Sequence, residues 1–238
     1  MGRLIKGKTL LDSIDKNPIE KFHMRVLKTL LGVHKRASNT ATLLETGRQP
    51  LYLTAKLQAI KYFLRLPSIK EGELLYAYHE SEKIHTTDKY TNFVASTLNK
   101  IGMGNIWRQQ LIHSRDLSKE KNLVQRVRQR MKDMSSQLIV SALKDSPSRL
   151  KFLTISKNDH KFETYLNMHN YQHRRSITKL RTSSHKLEVE SGRWNDIERK
   201  RRICKNCSLQ KVEDELHLIF ECQIFLNERI ELFNVLKH

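Results

Sequence analysis

The apolar residues Phe22, Val26, Leu27, Leu30 and Leu31 recur three and four positions apart, which places them on one face of an α-helix. Asn17 followed by Pro18, with Glu20 in the first turn, marks its start, and Gly32 marks its end. Thr40 to Thr46 reads as a short helix closed by Gly47. Pro50 then opens a longer helix bearing Leu53, Leu57, Ile60, Phe63 and Leu64, which Pro67 stops. Glu73 to Ile84 and Asp88 to Ile101 are further amphipathic segments, the second with Asp88 placed as an N-cap and Gly102 as a stop. Between Leu117 and Leu143 the positions Leu123, Val124, Val127, Met131, Met134, Leu138 and Val140 fall mostly at helical spacing, so one long helix is expected. Lys144 to Asn158 contains Pro147, several Ser residues and no clear period, and a domain boundary is expected there. Beyond it, Asn158 to Asn167 and Tyr171 to Thr182 read as two short helices. Gly192 and the charged run Glu198 to Arg202 then lead into the cysteines.

Composition agrees with a mainly α class. Only 8 Gly and 4 Pro occur in 238 residues, and Leu, Lys, Arg, Gln and Glu are abundant. Charge adds a partner to the picture: 44 Lys and Arg face 25 Asp and Glu, a formal charge of +19, so the field around the chain attracts anions. Nucleic acid is the expected partner. A membrane is not, because the apolar runs are a few residues long against the roughly 20 that a spanning helix needs. Met1 to Leu11 lacks the continuous apolar stretch of a secretory signal, and an intracellular location, nucleus or cytoplasm, is expected. The long helix is basic on its other faces, where Lys119, Lys121, Arg126, Arg128, Arg130 and Lys132 meet only Glu120 and Asp133. That ridge reads equally as a nucleic-acid contact, with Arg126 and Arg130 in it, or as a solvated helix face.

The three cysteines lie within nineteen positions, an odd count that a disulfide framework would leave with an orphan. With one histidine they form C-x2-C-x9-H-x4-C: Cys204, Cys207, His217 and Cys222. Three thiolates and an imidazole are the donor set that tetrahedral zinc prefers, and the two-residue gap lets one tight turn present both sulfurs to one ion. Four protein ligands leave no open position for water or substrate, so a single structural zinc is expected and no catalysis. No small-molecule substrate is expected either. Thiolate formation and zinc binding together lower the charge by only one unit, so zinc and a polyanionic partner are compatible. Glu213, Asp214 and Glu215 stand just before His217, either orienting its second nitrogen or forming an exposed acidic turn.

Two stretches carry a family resemblance. The run Leu180-Arg181-Thr182-Ser183-Ser184-His185-Lys186-Leu187-Glu188-Val189-Glu190-Ser191-Gly192-Arg193, followed by Cys204 to Cys222 with Val212-Glu213-Asp214-Glu215-Leu216-His217 inside it, resembles the end of metazoan non-LTR retrotransposon polyproteins. Glu20-Lys21 through Leu31-Gly32-Val33, Asn39 to Leu44, and Glu45-Thr46-Gly47-Arg48-Gln49-Pro50-Leu51 resemble the region after the polymerase palm of the same reverse transcriptases. The resemblance implies a tail that grips template RNA or target DNA beside upstream reverse transcriptase domains. It also implies a helical bundle followed by a small CCHC zinc module, in three segments: 1–146 after the palm, 147–202 as a basic helical connector, and 203–238 as zinc module and terminal helix. Family members continue past this point with more helix, so a fragment or truncated product is expected. The chain has no F/Y-x-D-D carboxylates, endonuclease module or terminal P-D…D motif, and no polymerase activity is expected.

Arg181, His185, Arg193 and the cluster Arg199, Lys200, Arg201 and Arg202 precede the cysteines, a position suited to phosphate contacts held by a rigid module. Trp194 among them either packs against its neighbours, the commoner fate at such a junction, or stacks on an unpaired base. His185 caps a helix or meets a phosphate, and Glu188 and Glu190 pair with nearby arginines. The sequence thus leads to a non-catalytic, zinc-containing nucleic-acid-binding fragment. The alternative is a structural or protein-interaction relic of a retroelement.

Overall fold

The computed structural model describes residues 17–66, 89–109, 122–145 and 150–236. Its elements are α1 (Pro18–Leu31), α2 (Asn39–Thr46), α3 (Leu51–Arg65), α4 (Lys89–Lys100), α5 (Gly104–Trp107), α6 (Leu123–Lys144), α7 (Lys151–Ser156), α8 (Tyr171–Arg181), α9 (Glu188–Trp194) and α10 (Leu226–Leu236), with short 3-10 turns between the later ones. Among the described residues β-structure is limited to two isolated bridges, Thr46 with Phe162 and Ile203 with Val212. The class is mainly α, as the periodicity requires. The helix expected over Glu73 to Ile84, and the expected roles of Pro67 and Asp88, lie outside the described residues.

Contacts divide the chain into two units, one made from residues up to His23 together with Arg48–Ile139, the other from Met24–Gly47 together with Val140 onward. This division joins segments distant in sequence, whereas the three sequence segments are continuous.

In the first unit, Leu57, Ile60, Phe63 and Leu64 of α3 pack with Val94 and Leu98 of α4, Ile106 of α5, and Leu123, Val127 and Met131 of α6. These residues sit three and four apart on each helix, so each element buries one stripe and leaves its polar face to water. Pro50 precedes α3 and offers no side-chain cap, and the need is met from α1: buried Glu20 accepts the Tyr52 backbone N–H at 2.6 Å. A carboxylate there satisfies an orphan donor and faces the positive end of the helix dipole.

That use of Glu20 corrects the expected face of α1. Glu20, Met24, Leu27 and Leu31 are buried, whereas Phe22 and Leu30 are about two-thirds exposed (65% and 66%) and Val26 and Ile19 also face solvent. The helix carries two apolar stripes, and the one in register with Glu20 is the one turned inward.

In the second unit α2 is the best-buried element, with Ala41, Thr42, Leu43, Leu44 and Glu45 all inaccessible. Ser38 caps its start by accepting the Ala41 N–H, and Gly47 ends it at φ +58°. A side chain at Gly47 would be strained by that backbone and would also place a Cβ 2.4 Å from the Phe162 backbone nitrogen. Gly47→Ala is therefore expected to cost about 2 kcal/mol or more in urea denaturation, and a cost under about 0.5 kcal/mol would contradict this account of the turn.

Two expectations fail in this unit. The stretch 158–167 is not a helix: Phe162 bridges to Thr46, the Glu163 N–H donates to the Glu45 carbonyl at 3.1 Å, and only Thr164–Asn167 forms a 3-10 turn. Pairing with the end of α2 takes the backbone donors that a helix would use. Conversely, the stretch read as aperiodic, 144–158, contains α7, whose Leu153 is fully buried.

Candidate metal centre

Arg202 to Cys204 runs antiparallel to Lys211 to Glu213. The Cys204 N–H donates to the Lys211 carbonyl at 2.9 Å and the Glu213 N–H to the Arg202 carbonyl at 2.9 Å, so the segment between them turns back as a knuckle. Cys204 and Cys207 sit at its base and tip. His217 and Cys222 come from one wide turn, His217–Glu221, closed by the Cys222 N–H on the His217 carbonyl at 2.8 Å. That five-residue, π-type closure suits a spacing of five better than an ordinary α turn.

The four donor atoms lie within 4.8 Å of one another. Cys204 Sγ is 4.0 Å from Cys222 Sγ, and Cys207 Sγ is 3.4 Å from His217 Nε2. Donors about 2.0–2.3 Å from a shared tetrahedral ion stand roughly 3.3–3.8 Å apart, whereas a disulfide would draw two sulfurs to about 2.05 Å. The set fits one metal ion. Burial pushes the Cys204 thiol up to about 11, while the Leu209 backbone N–H holds the Cys207 thiol below its usual value.

The acidic triplet before His217 is neither an exposed turn nor the acceptor for the second ring nitrogen. Glu213, Asp214 and Glu215 are buried, and each anchors a different neighbour. Glu213 accepts the Glu188 N–H at 2.8 Å and Asn206 Nδ2 at 3.2 Å. Asp214 accepts the His217 N–H at 3.1 Å and Arg199 Nη2 at 3.1 Å. Glu215 accepts Ser183 Oγ at 3.0 Å and pairs with His185 Nε2 at 2.9 Å. Burial opposes its charge, but His185, its own backbone and Ser183 together keep the carboxyl below its ordinary value. The acceptor at His217 Nδ1 is Glu221 Oε2, at 3.3 Å. A carboxylate on the far nitrogen orients the imidazole toward the sulfurs. Its i+4 position on the same turn was the available signal.

The basic residues ahead of the cysteines separate into two groups. Arg202 is committed to the backbone, donating Nε to the Ile197 carbonyl and Nη1 to the Val189 carbonyl, both at 2.8 Å. Arg199 is tied to Asp214, and Arg193 pairs with Glu190. Arg181 belongs to the interior: only 13% of its side chain is exposed, and its Nε meets both Glu45 oxygens at 3.0 and 2.9 Å. Arg201 is the open one, 81% exposed with only a 3.9 Å approach to Glu198, and Lys200 is exposed beside it. Arg126 and Arg130 are on α6 in the other unit, where Arg130 Nε donates to the Ile101 carbonyl at 3.1 Å. His185 takes the capping role, its Nδ1 accepting the Leu187 N–H at the start of α9. Glu188 pairs with Lys205 and not with an arginine. Trp194 is 56% exposed, so the packed reading of that residue does not hold.

In the first unit a cavity of about 790 Å³ is lined mainly by apolar residues with Lys56 and Lys100 as its charged groups, and burial followed by the Lys100 charge lowers the Lys56 pKa. Among the described residues that line it there is no carboxylate, His or Cys. No described helix is long and apolar enough to cross a membrane. No protein-family model, curated protein or solved structure matches this chain.

Proposed function

We propose that this chain is a non-catalytic nucleic-acid-binding module built around one structural zinc ion, of the kind found at the C-terminal end of non-LTR retrotransposon reverse transcriptases. The observation that carries this reading is the tight Cys204, Cys207, His217 and Cys222 cluster directly beside the exposed pair Lys200 and Arg201, in a chain of formal charge +19. Three sulfurs and one imidazole suit zinc, and four protein donors close its coordination sphere, which supports a structural over a catalytic ion. The ion would be held by those four side chains, oriented through Glu221, and would supply rigidity to the loop that presents the cations.

Binding of RNA or single-stranded DNA should weaken linearly with log salt, at a slope near −0.7 per phosphate contacted. Replacing Lys200 and Arg201 with Ser, which disturbs no buried partner, should reduce the slope by about 0.7 per residue and weaken binding to all sequences alike. Affinity indifferent to salt, or unaffected by the double substitution, would count against the reading. A protein-interaction module is the second reading, favoured by the exposed apolar stripe Ile19, Phe22, Val26 and Leu30 on α1 and by Ile230, Leu232 and Val235 on α10.

A further inference from the structure

The connection between α1 and α2 carries an exposed ring held from several directions. The Gly32 carbonyl accepts Arg175 Nε at 3.0 Å, the His34 N–H donates to Ser184 Oγ at 3.2 Å, and the Arg36 N–H donates to His34 Nδ1 at 3.2 Å. The His34 ring centroid lies 6.4 Å from that of Trp194 at an interplanar angle of 46°. Trp194, at the end of α9, is 56% exposed, and His34, Lys35 and Arg36 are exposed with it. An indole left in water forgoes a large apolar gain, and the cations beside it disfavour an apolar protein partner. A planar, electron-rich heterocycle joined to phosphates satisfies both features, with the ring on the indole and the anion on the lysine and arginine.

We propose that Trp194, with His34 set against it, is a stacking platform for one unpaired base of a single-stranded nucleic acid, whose adjoining phosphates meet Lys35 and Arg36. This deepens the nucleic-acid reading above and rests on it. Glu190 does not oppose the anion, because Arg193 offsets its charge. A base inside an intact duplex has both faces covered, so the platform discriminates single from double strands and does not read sequence.

The test is fluorescence anisotropy of the full chain with a labelled oligoadenylate strand and with a blunt duplex of the same length. Trp194→Ala is expected to weaken single-strand binding about tenfold, leaving duplex binding and the salt slope unchanged, while Trp194→Phe keeps most of the affinity. In a Trp107→Phe background, the remaining Trp194 emission should be quenched as oligoadenylate is added. Equal single-strand affinity for wild type and Trp194→Ala, the same loss on the duplex, or unquenched emission at saturation would overturn the platform while the nucleic-acid reading stands. Failure of the wild-type chain to bind either probe would overturn that reading and the platform with it.

Discussion

Protein purified without added metal is expected to carry about one zinc per chain, and Cys222→Ser to carry almost none. The expected effect is large because little else holds this region together. From Ser183 to Phe225 the buried apolar side chains are Val189, Cys204 and Cys222, and the rest of the interior is Ser183, Glu190, Gly192, Glu213, Asp214, Glu215 and His217. A segment with so little apolar burial cannot offset its chain entropy by the hydrophobic effect, whereas a structural zinc contributes an apparent 10–16 kcal/mol or so of binding free energy that is also folding free energy. Chelation should therefore collapse amide protection in this segment while the α3, α4 and α6 core keeps its own. His217→Cys should retain the ion, since a fourth thiolate still completes the tetrahedron. Near-zero zinc in well-folded protein, or full occupancy in Cys222→Ser, would remove the metal from the account.

Arg181→Ala is expected to cost about 3–5 kcal/mol, read from the urea midpoint. Glu45 is completely buried, and its partners are the Arg181 guanidinium and the Tyr165 hydroxyl. Burial disfavours the arginine's charge, yet the Glu45 and Glu163 carboxylates more than offset that and raise its pKa. Truncating Arg181 strands a carboxylate in the interior, which costs far more than losing a surface pair. The double variant Glu45→Leu with Arg181→Met should recover much of the loss, because it leaves no buried charge unpaired. If Arg181→Ala instead lost nucleic-acid affinity at unchanged stability, the arginine would be a phosphate contact after all.

Much of the architecture was legible because helix punctuation is local. Asn17 with Pro18, Gly47, Pro50 and Gly102 act on their own turns, and α1, α2, α3 and α4 sit close to where those residues place them, while α6 follows its apolar spacing. The metal ligands were legible for a related reason, since their chemistry and spacing are both written along the chain. What misled was longer in range. Nothing near Phe22 tells that Glu20 is needed at the start of α3, so the choice between two apolar stripes could not be read locally. The helical pattern of 158–167 loses to pairing with Thr46, more than a hundred positions away. Arg181, Arg199 and Arg202 have the composition of a phosphate site and the geometry of struts, and only knowledge of what faces them separates the two.

The closeness of the Cys204 and Cys222 sulfurs, 4.0 Å apart, would make an ion held there a protecting group as well as a scaffold. With metal bound, all three thiolates are occupied as ligands. Stripped of it in an oxidising medium, two neighbouring sulfurs need to move by only about 2 Å to join as a disulfide, which would lock the knuckle in a form that no longer accepts the ion. Loss of metal under air then becomes a one-way event unless a thiol reductant is present to reverse it.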